Sequence, residues 1–114
     1  MTLITYNRIM NDIDDERAYI TNLIRGFDDE VTVIFIKKDG SLRKITTSNS
    51  KLHDFMKKKD LEDPEAFQKA VEKKEKNPHL LAVYDTEIEE IRSINLDTVM
   101  CIEIAEGTFY FNRR

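Results

Sequence analysis

A single cysteine, three glycines, two histidines and no tryptophan are what this chain has least of. The lone Cys101 cannot close an internal disulfide, which points to a reducing, cytoplasmic setting. It stands inside an apolar stretch, where a buried, inert thiol is expected rather than a nucleophile, because a thiolate needs a neighbouring base or cation. Three glycines are too few for a glycine-rich phosphate loop. His53 and His79 have no cysteine or acid at zinc-ligand spacing, so no metal and no cofactor are expected. No nucleophile elbow is present, and without a catalytic constellation the chain is read as a non-enzyme. No apolar run approaches the ~18 residues that a membrane-spanning helix needs. Residues Met1–Tyr6 lack the basic region and apolar stretch of a secretory signal, so no membrane association is expected.

What is present is enough for one core. Hydrophobic residues make up 40% and charged residues 35% of 114, the proportions and size of a single folded domain covering 1–114. The net charge of −4 is unevenly distributed. Residues 1–30 hold seven acids against three arginines, whereas residues 31–60 hold eight lysines and arginines against three acids. An acidic total argues against a general nucleic-acid coat, since phosphate neutralisation supplies most non-specific affinity. The basic middle allows either a local patch or a mixed solvated surface.

Periodicity divides the chain into an N-terminal helical segment (1–29), a hairpin (30–47), a helical insertion (48–78) and a strand meander with a tail (79–114). In residues 8–25, Ile9, Met10, Ile13, Tyr19 or Ile20, Leu23 and Ile24 recur at helical steps, as one helix or two short ones, with Asp12 or Asp14 as cap and Gly26 as stop. Residues 30–37 form the clearest strand, apolar on both faces and so covered on both. Lys38-Asp39-Gly40-Ser41 is a hairpin turn in which Asp-Gly supplies the positive φ. Residues 42–47 return with Leu42 and Ile45 as apolar positions. Leu52, Phe55 and Met56 sit at helical steps, Asp63-Pro64 starts a second helix and Asn77-Pro78 ends it. Residues 79–85, 91–95 and 98–105 read as strands, and Thr108–Asn112 as an edge strand or an aromatic cover. Five short strands joined by tight turns are expected to curl into a small SH3-like, Sm-like antiparallel β-barrel of the α+β class, because closure removes exposed edges.

Two stretches carry a resemblance. Val31-Thr32-Val33-Ile34-Phe35-Ile36-Lys37-Lys38-Asp39-Gly40, then Leu81-Ala82-Val83-Tyr84-Asp85 with Ile91-Arg92-Ser93-Ile94-Asn95-Leu96-Asp97-Thr98-Val99, resemble the small phage-encoded WYL-like proteins with an Sm-like SH3-type barrel, over about 45 residues. The resemblance implies the barrel, a phage or bacterial origin, a host-cell cytoplasmic location and a regulatory or binding role. WYL domains hold nucleotide or nucleic-acid ligands with a run of arginines. Arg92 matches the first of these, while Asn95 and Thr98 stand where the second and third would be.

The residues singled out for binding are Lys37, Lys38, Arg43, Lys44, Lys57, Lys58, Lys59 and Arg92, since lysine and arginine engage phosphates. Tyr110 with Phe109 or Phe111 could stack on bases or close the core. The acidic groups Asp12-Asp14-Asp15-Glu16 and Asp28-Asp29-Glu30 lack the alternate spacing of a calcium loop and read as solvated helix ends. The first expectation is a phage accessory or regulatory protein that binds a host or phage protein. The alternative is a small-barrel binder of RNA or single-stranded DNA using the basic segment 37–59. Self-association through edge strands is open to either.

Overall fold

The computed structural model describes residues 2–6 and 13–111. Seven strands and three helices follow one another as β1 (Thr2–Tyr6), α1 (Ile13–Arg25), β2 (Val31–Ile36), β3 (Leu42–Thr47), α2 (Asn49–Glu62), α3 (Pro64–Lys76), β4 (Leu80–Asp85), β5 (Glu90–Asn95), β6 (Val99–Ile104) and β7 (Gly107–Phe111). A 3-10 turn, Leu96–Thr98, links β5 to β6. The described part of the expected helix 8–25 is one helix from Ile13; residues 8–12, including the Asp12 cap, lie outside the described residues, as does Asn112.

All strands join one open sheet in the order β1-β7-β6-β2-β3-β4-β5. Six of them run antiparallel, and β1 lies parallel to β7 at one edge. The five-strand barrel expected from the sequence therefore does not form, for a reason of strand edges. Closing those five strands, which run β6-β2-β3-β4-β5, would need β5 to pair with β6. Both edges of β6 are already occupied, by β2 across a bulge between Ile34 and Phe35 and by β7 over Cys101–Ile104. A strand has two rows of backbone donors and acceptors and no third. β3 and β4 share only one ladder pair, Thr47 with Asp85, reinforced by the Thr86 amide and hydroxyl donating to the Thr46 carbonyl at 3.0 and 3.1 Å. The sheet turns a corner there.

The space a closed wall would have enclosed is filled by α1. Its Ile20 and Ile24 are fully buried against Val31, Val33, Phe35, Ile45, Leu81, Val83, Ile94, Leu96, Val99, Ile102 and Phe111. The alternation of β2 places Val31, Val33 and Phe35 in this core and Thr32, Ile34 and Ile36 half-buried on the far side, as a strand apolar on both faces demands. Leu42 departs from expectation: at the first position of β3 it is 68% exposed, and Ile45 alone supplies that strand's apolar core contact. Gly26 follows the last residue of α1, and a Cβ there would meet the Asn22 carbonyl oxygen at 2.7 Å, so the position is fitted to glycine.

The helix is held mainly by apolar burial. Two fully buried isoleucines are worth about 1.5–3 kcal/mol each. The ion pair of Arg17 with Asp97, at 2.8 Å, is partly exposed, and pairs of that kind contribute roughly 0–1 kcal/mol. α2 and α3 lie further from the core: α2 has no buried residue and touches the sheet through Phe55, whose ring sits 5.6 Å from that of Tyr84. Asn49 in its first turn donates to the carbonyls of Ile24 and Phe27, tying α2 to the end of α1. Asp63 caps α3 with Pro64 at its first position, as the sequence indicates.

If α1 closes the core, Ile24→Ala should lower the unfolding free energy by about 2–5 kcal/mol in urea titration. A loss below about 0.5 kcal/mol, the size of an ordinary surface change, would show that the sheet buries its own interior.

Candidate functional site

The open corner leaves a cleft between hairpin β2–β3 and hairpin β4–β5, of about 570 Å³. Phe35, Ile36, Ile45 and Leu80 give it apolar walls; Lys37, Lys38, Arg43, His79 and Arg92 give it basic ones; Ser93 and Asn95 complete it. No lining residue is acidic. Among the described residues, none of the four lysine and arginine side chains has a carboxylate within 4.0 Å.

Each cation is placed by local structure. On β3, Arg43 faces Phe35 across the ladder and shares its side of the sheet with Ile45, one step removed from Lys44. On β5, Arg92 stands opposite Val83. Lys37 and Lys38 occupy the β2–β3 turn, which is tightly determined. The Lys37 amide donates to the Ser41 carbonyl, the Gly40 amide donates to the Lys37 carbonyl, and Gly40 takes φ +89°. Asp39 does not reach for the lysines: one carboxylate oxygen accepts from the Ser41 hydroxyl at 2.6 Å and the Ser41 amide at 2.9 Å. These bonds, the hydroxyl's first, hold the Asp39 carboxyl below the usual aspartate range. Where β2 leaves the sheet, the Thr98 hydroxyl donates to the Ile36 carbonyl at 2.7 Å. Thr98 is thus a tether and not part of the cleft. Asn95 does line it, with its side-chain oxygen committed to the Asp97 amide, so that its NH₂ is left to donate.

The wall formed by His79 and Leu80 is pinned from behind by two cations that the sequence reading did not single out. Arg25 donates to the Ala82 carbonyl, and Lys74 donates to the carbonyls of Pro78 and Leu80. Burial lowers the Arg25 guanidinium's pKa, and burial, with Arg17 and Arg25 nearby, lowers that of Lys74. His79 also entered the cleft without being singled out; its only signal was its position directly after the Asn77-Pro78 stop.

The eight residues proposed from sequence therefore separate. Lys37, Lys38, Arg43 and Arg92 converge on the cleft. Lys44 is exposed one position from Arg43, where strand alternation puts it on the other side of the sheet. Lys57, Lys58 and Lys59 lie on α2, with Lys58 near Glu62 at 4.0 Å and Lys59 over the Phe55 ring at 5.7 Å. Lys58 lines a separate depression beside Tyr84, Thr86 and Glu89, at the far end of β4 from the cleft. Tyr110 is exposed and Phe111 is buried, so Phe111 closes the core and Tyr110 does not. Cys101 is buried, and desolvation, then Glu103, pushes its thiol pKa up, which keeps it protonated and unreactive.

No group of three or more His, Cys, Asp or Glu among the described residues is placed to hold a metal ion, and no helix among them is long and apolar enough to cross a membrane. No family model matches the chain, and no curated protein or solved structure matches it.

The depressed pKa of Asp39 gives a pH test of the turn that presents Lys37 and Lys38. A carboxyl whose folded pKa lies below its unfolded value stabilises the fold above the unfolded pKa and loses that contribution as pH falls through the folded one. The Ser41 amide shift, followed by NMR, should titrate with a midpoint below the ordinary aspartate value of about 3.9. A midpoint at or above that value would mean that the Asp39–Ser41 bonds do not persist in solution.

Proposed function

We propose that this protein binds single-stranded nucleic acid, RNA or DNA, in the cleft between its two hairpins. The observation that carries the reading is the convergence of Lys37, Lys38, Arg43 and Arg92 from three separate elements onto one acid-free concavity, in a chain whose overall charge is negative. Arginines engage phosphate oxygens in pairs and lysines as point charges. The Phe35, Ile36, Ile45 and Leu80 surface gives an unstacked base an apolar bed, and the Asn95 NH₂ and Ser93 hydroxyl supply donors for its edge. A cleft of this volume is within the range that holds a small ligand, and it suits one or two nucleotides of a strand rather than a duplex.

A second reading, an accessory role through a host or phage protein, is favoured by α2–α3. Leu61, next to the tip of that helical hairpin, is 78% exposed, and Val71 on α3 is also exposed.

Fluorescence anisotropy with labelled ten-nucleotide oligo-U and oligo-dT tests the first reading. With three or four phosphates contacted, log affinity should fall against log salt with a slope of roughly −2 to −3. Arg43→Glu and Lys37→Glu should each weaken binding by about tenfold or more, the size of one lost charge-assisted contact. The triple change of Lys57, Lys58 and Lys59 to Glu should leave affinity within about threefold, since those residues lie outside the cleft and contribute only long-range, screened attraction. Salt-independent binding, or binding that survives the cleft changes and is lost with the α2 changes, would overturn the assignment.

A further inference from the structure

The end of the sheet opposite the cleft carries the opposite charge. Asp28, Asp29 and Glu30 immediately precede β2, and Glu103 and Glu106 stand at the end of β6 and in the turn after it. Together they line two adjoining depressions whose lining residues include no lysine, arginine or histidine. Among the described residues none of these five carboxylates lies within 4.0 Å of a cationic side chain. Asp28, Asp29 and Glu30 are all exposed.

We propose that the basic cleft receives the acidic end of a second copy of this chain, so that the protein associates head to tail. β2 itself carries the argument. Its first residue, Val31, follows the acidic triplet and its last, Ile36, precedes Lys37 and Lys38. Six residues of extended chain at about 3.3 Å each keep the two charged groups roughly 20 Å apart. That separation exceeds the screening length of about 8 Å at physiological salt, so the two poles do not neutralise one another within one molecule. Nor can they be brought together by bending, because β2 is laddered on both sides. Each pole finds its complement only on another copy. Carboxylates present the same acceptor oxygens to arginine as phosphates do, so the acidic segment is a chemically apt occupant of this cleft. It would compete there with the strand named above, and in that respect the inference shares the cleft with the nucleic-acid reading. Because cleft and acidic end are different surfaces, the contact is heterologous and builds open chains or rings rather than a two-fold dimer.

Sedimentation velocity of the full chain tests this with two charge-reversed variants. One reverses the cleft (Lys37→Glu, Lys38→Glu, Arg43→Glu) and the other reverses the pole (Asp28→Lys, Asp29→Lys, Glu30→Lys), each checked by circular dichroism for a retained fold. Wild type should show a sedimentation coefficient that rises with protein concentration at low salt, with the association constant falling roughly tenfold or more at high salt. Each variant alone should stay monomeric, and an equimolar mixture of the two should associate, because the cleft of one then meets the acidic pole of the other. A wild type that is monomeric at every concentration and salt, or a pole variant that associates as wild type does, overturns the inference. The pole variant should still bind the oligonucleotides. If it does while wild type stays monomeric, the cleft reading stands and head-to-tail association falls. If wild type associates through the cleft yet no oligonucleotide binds, the reverse holds.

Discussion

The double occupancy of β6 is the constraint on which the other features depend. With β2 on one edge and β7 on the other, this strand cannot accept β5, and the sheet stays open although its strands are short and its turns tight. An open, cornered sheet leaves its apolar inner face uncovered, and α1 covers it with Ile20 and Ile24. The same failure to close leaves two hairpins diverging from the Thr47–Asp85 pair, and the divergence is the cleft. Core, helix placement and candidate site are thus consequences of a count of strand edges.

Side-chain donors to backbone carbonyls hold the pieces in register. Asn49 reaches Ile24 and Phe27, Arg25 reaches Ala82, Lys74 reaches Pro78 and Leu80, and Thr98 reaches Ile36. Most of these acceptors lie at an element end or on a wall of the cleft, and Ala82 lies within β4 on the edge that β3 leaves unpaired, so the ladder or helix supplies no partner there. Such bonds contribute little individually, about 0.5–1.5 kcal/mol each, but they are directional, and direction is what apolar burial lacks. Isoleucine burial keeps α1 on the sheet; Asn49 and Arg25 decide where along it the helix stops.

Local chemistry was legible in the sequence and edge counting was not. The apolar faces of Val31–Ile36, the Asp39-Gly40 turn and the Asp63-Pro64 helix start each follow from residues within a few positions of one another, and each is where the sequence put it. Barrel closure depends on whether the second edge of β6 is left free for β5; β7 takes it, and the pattern of Thr108–Asn112 had left an edge strand and an aromatic cover equally open. β1 escaped notice for a related reason: Thr2-Leu3-Ile4-Thr5-Tyr6 has the composition of a strand, but its partner is β7 at the other end of the chain, without a hairpin turn to announce it. In the site, alternation on β3 already separated Arg43 from Lys44, whereas nothing in sequence told Arg92 and Arg43 that they would line one cleft.

The cations sort by what they are bonded to. Arg17 has Asp97 and Asp14, and Arg25 and Lys74 have carbonyls, so their charges are spent on the fold. Lys37, Lys38, Arg43 and Arg92 have no carboxylate within reach among the described residues, although the chain carries more acids than bases and the nearest in sequence, Asp39, is turned back onto Ser41. Gathering like charges around an apolar surface costs stability through repulsion and through donors that find no acceptor. Where Arg17, Arg25 and Lys74 are bonded into the fold, these four face one acid-free concavity, and an acceptor-rich ligand is the missing half of that concavity's chemistry.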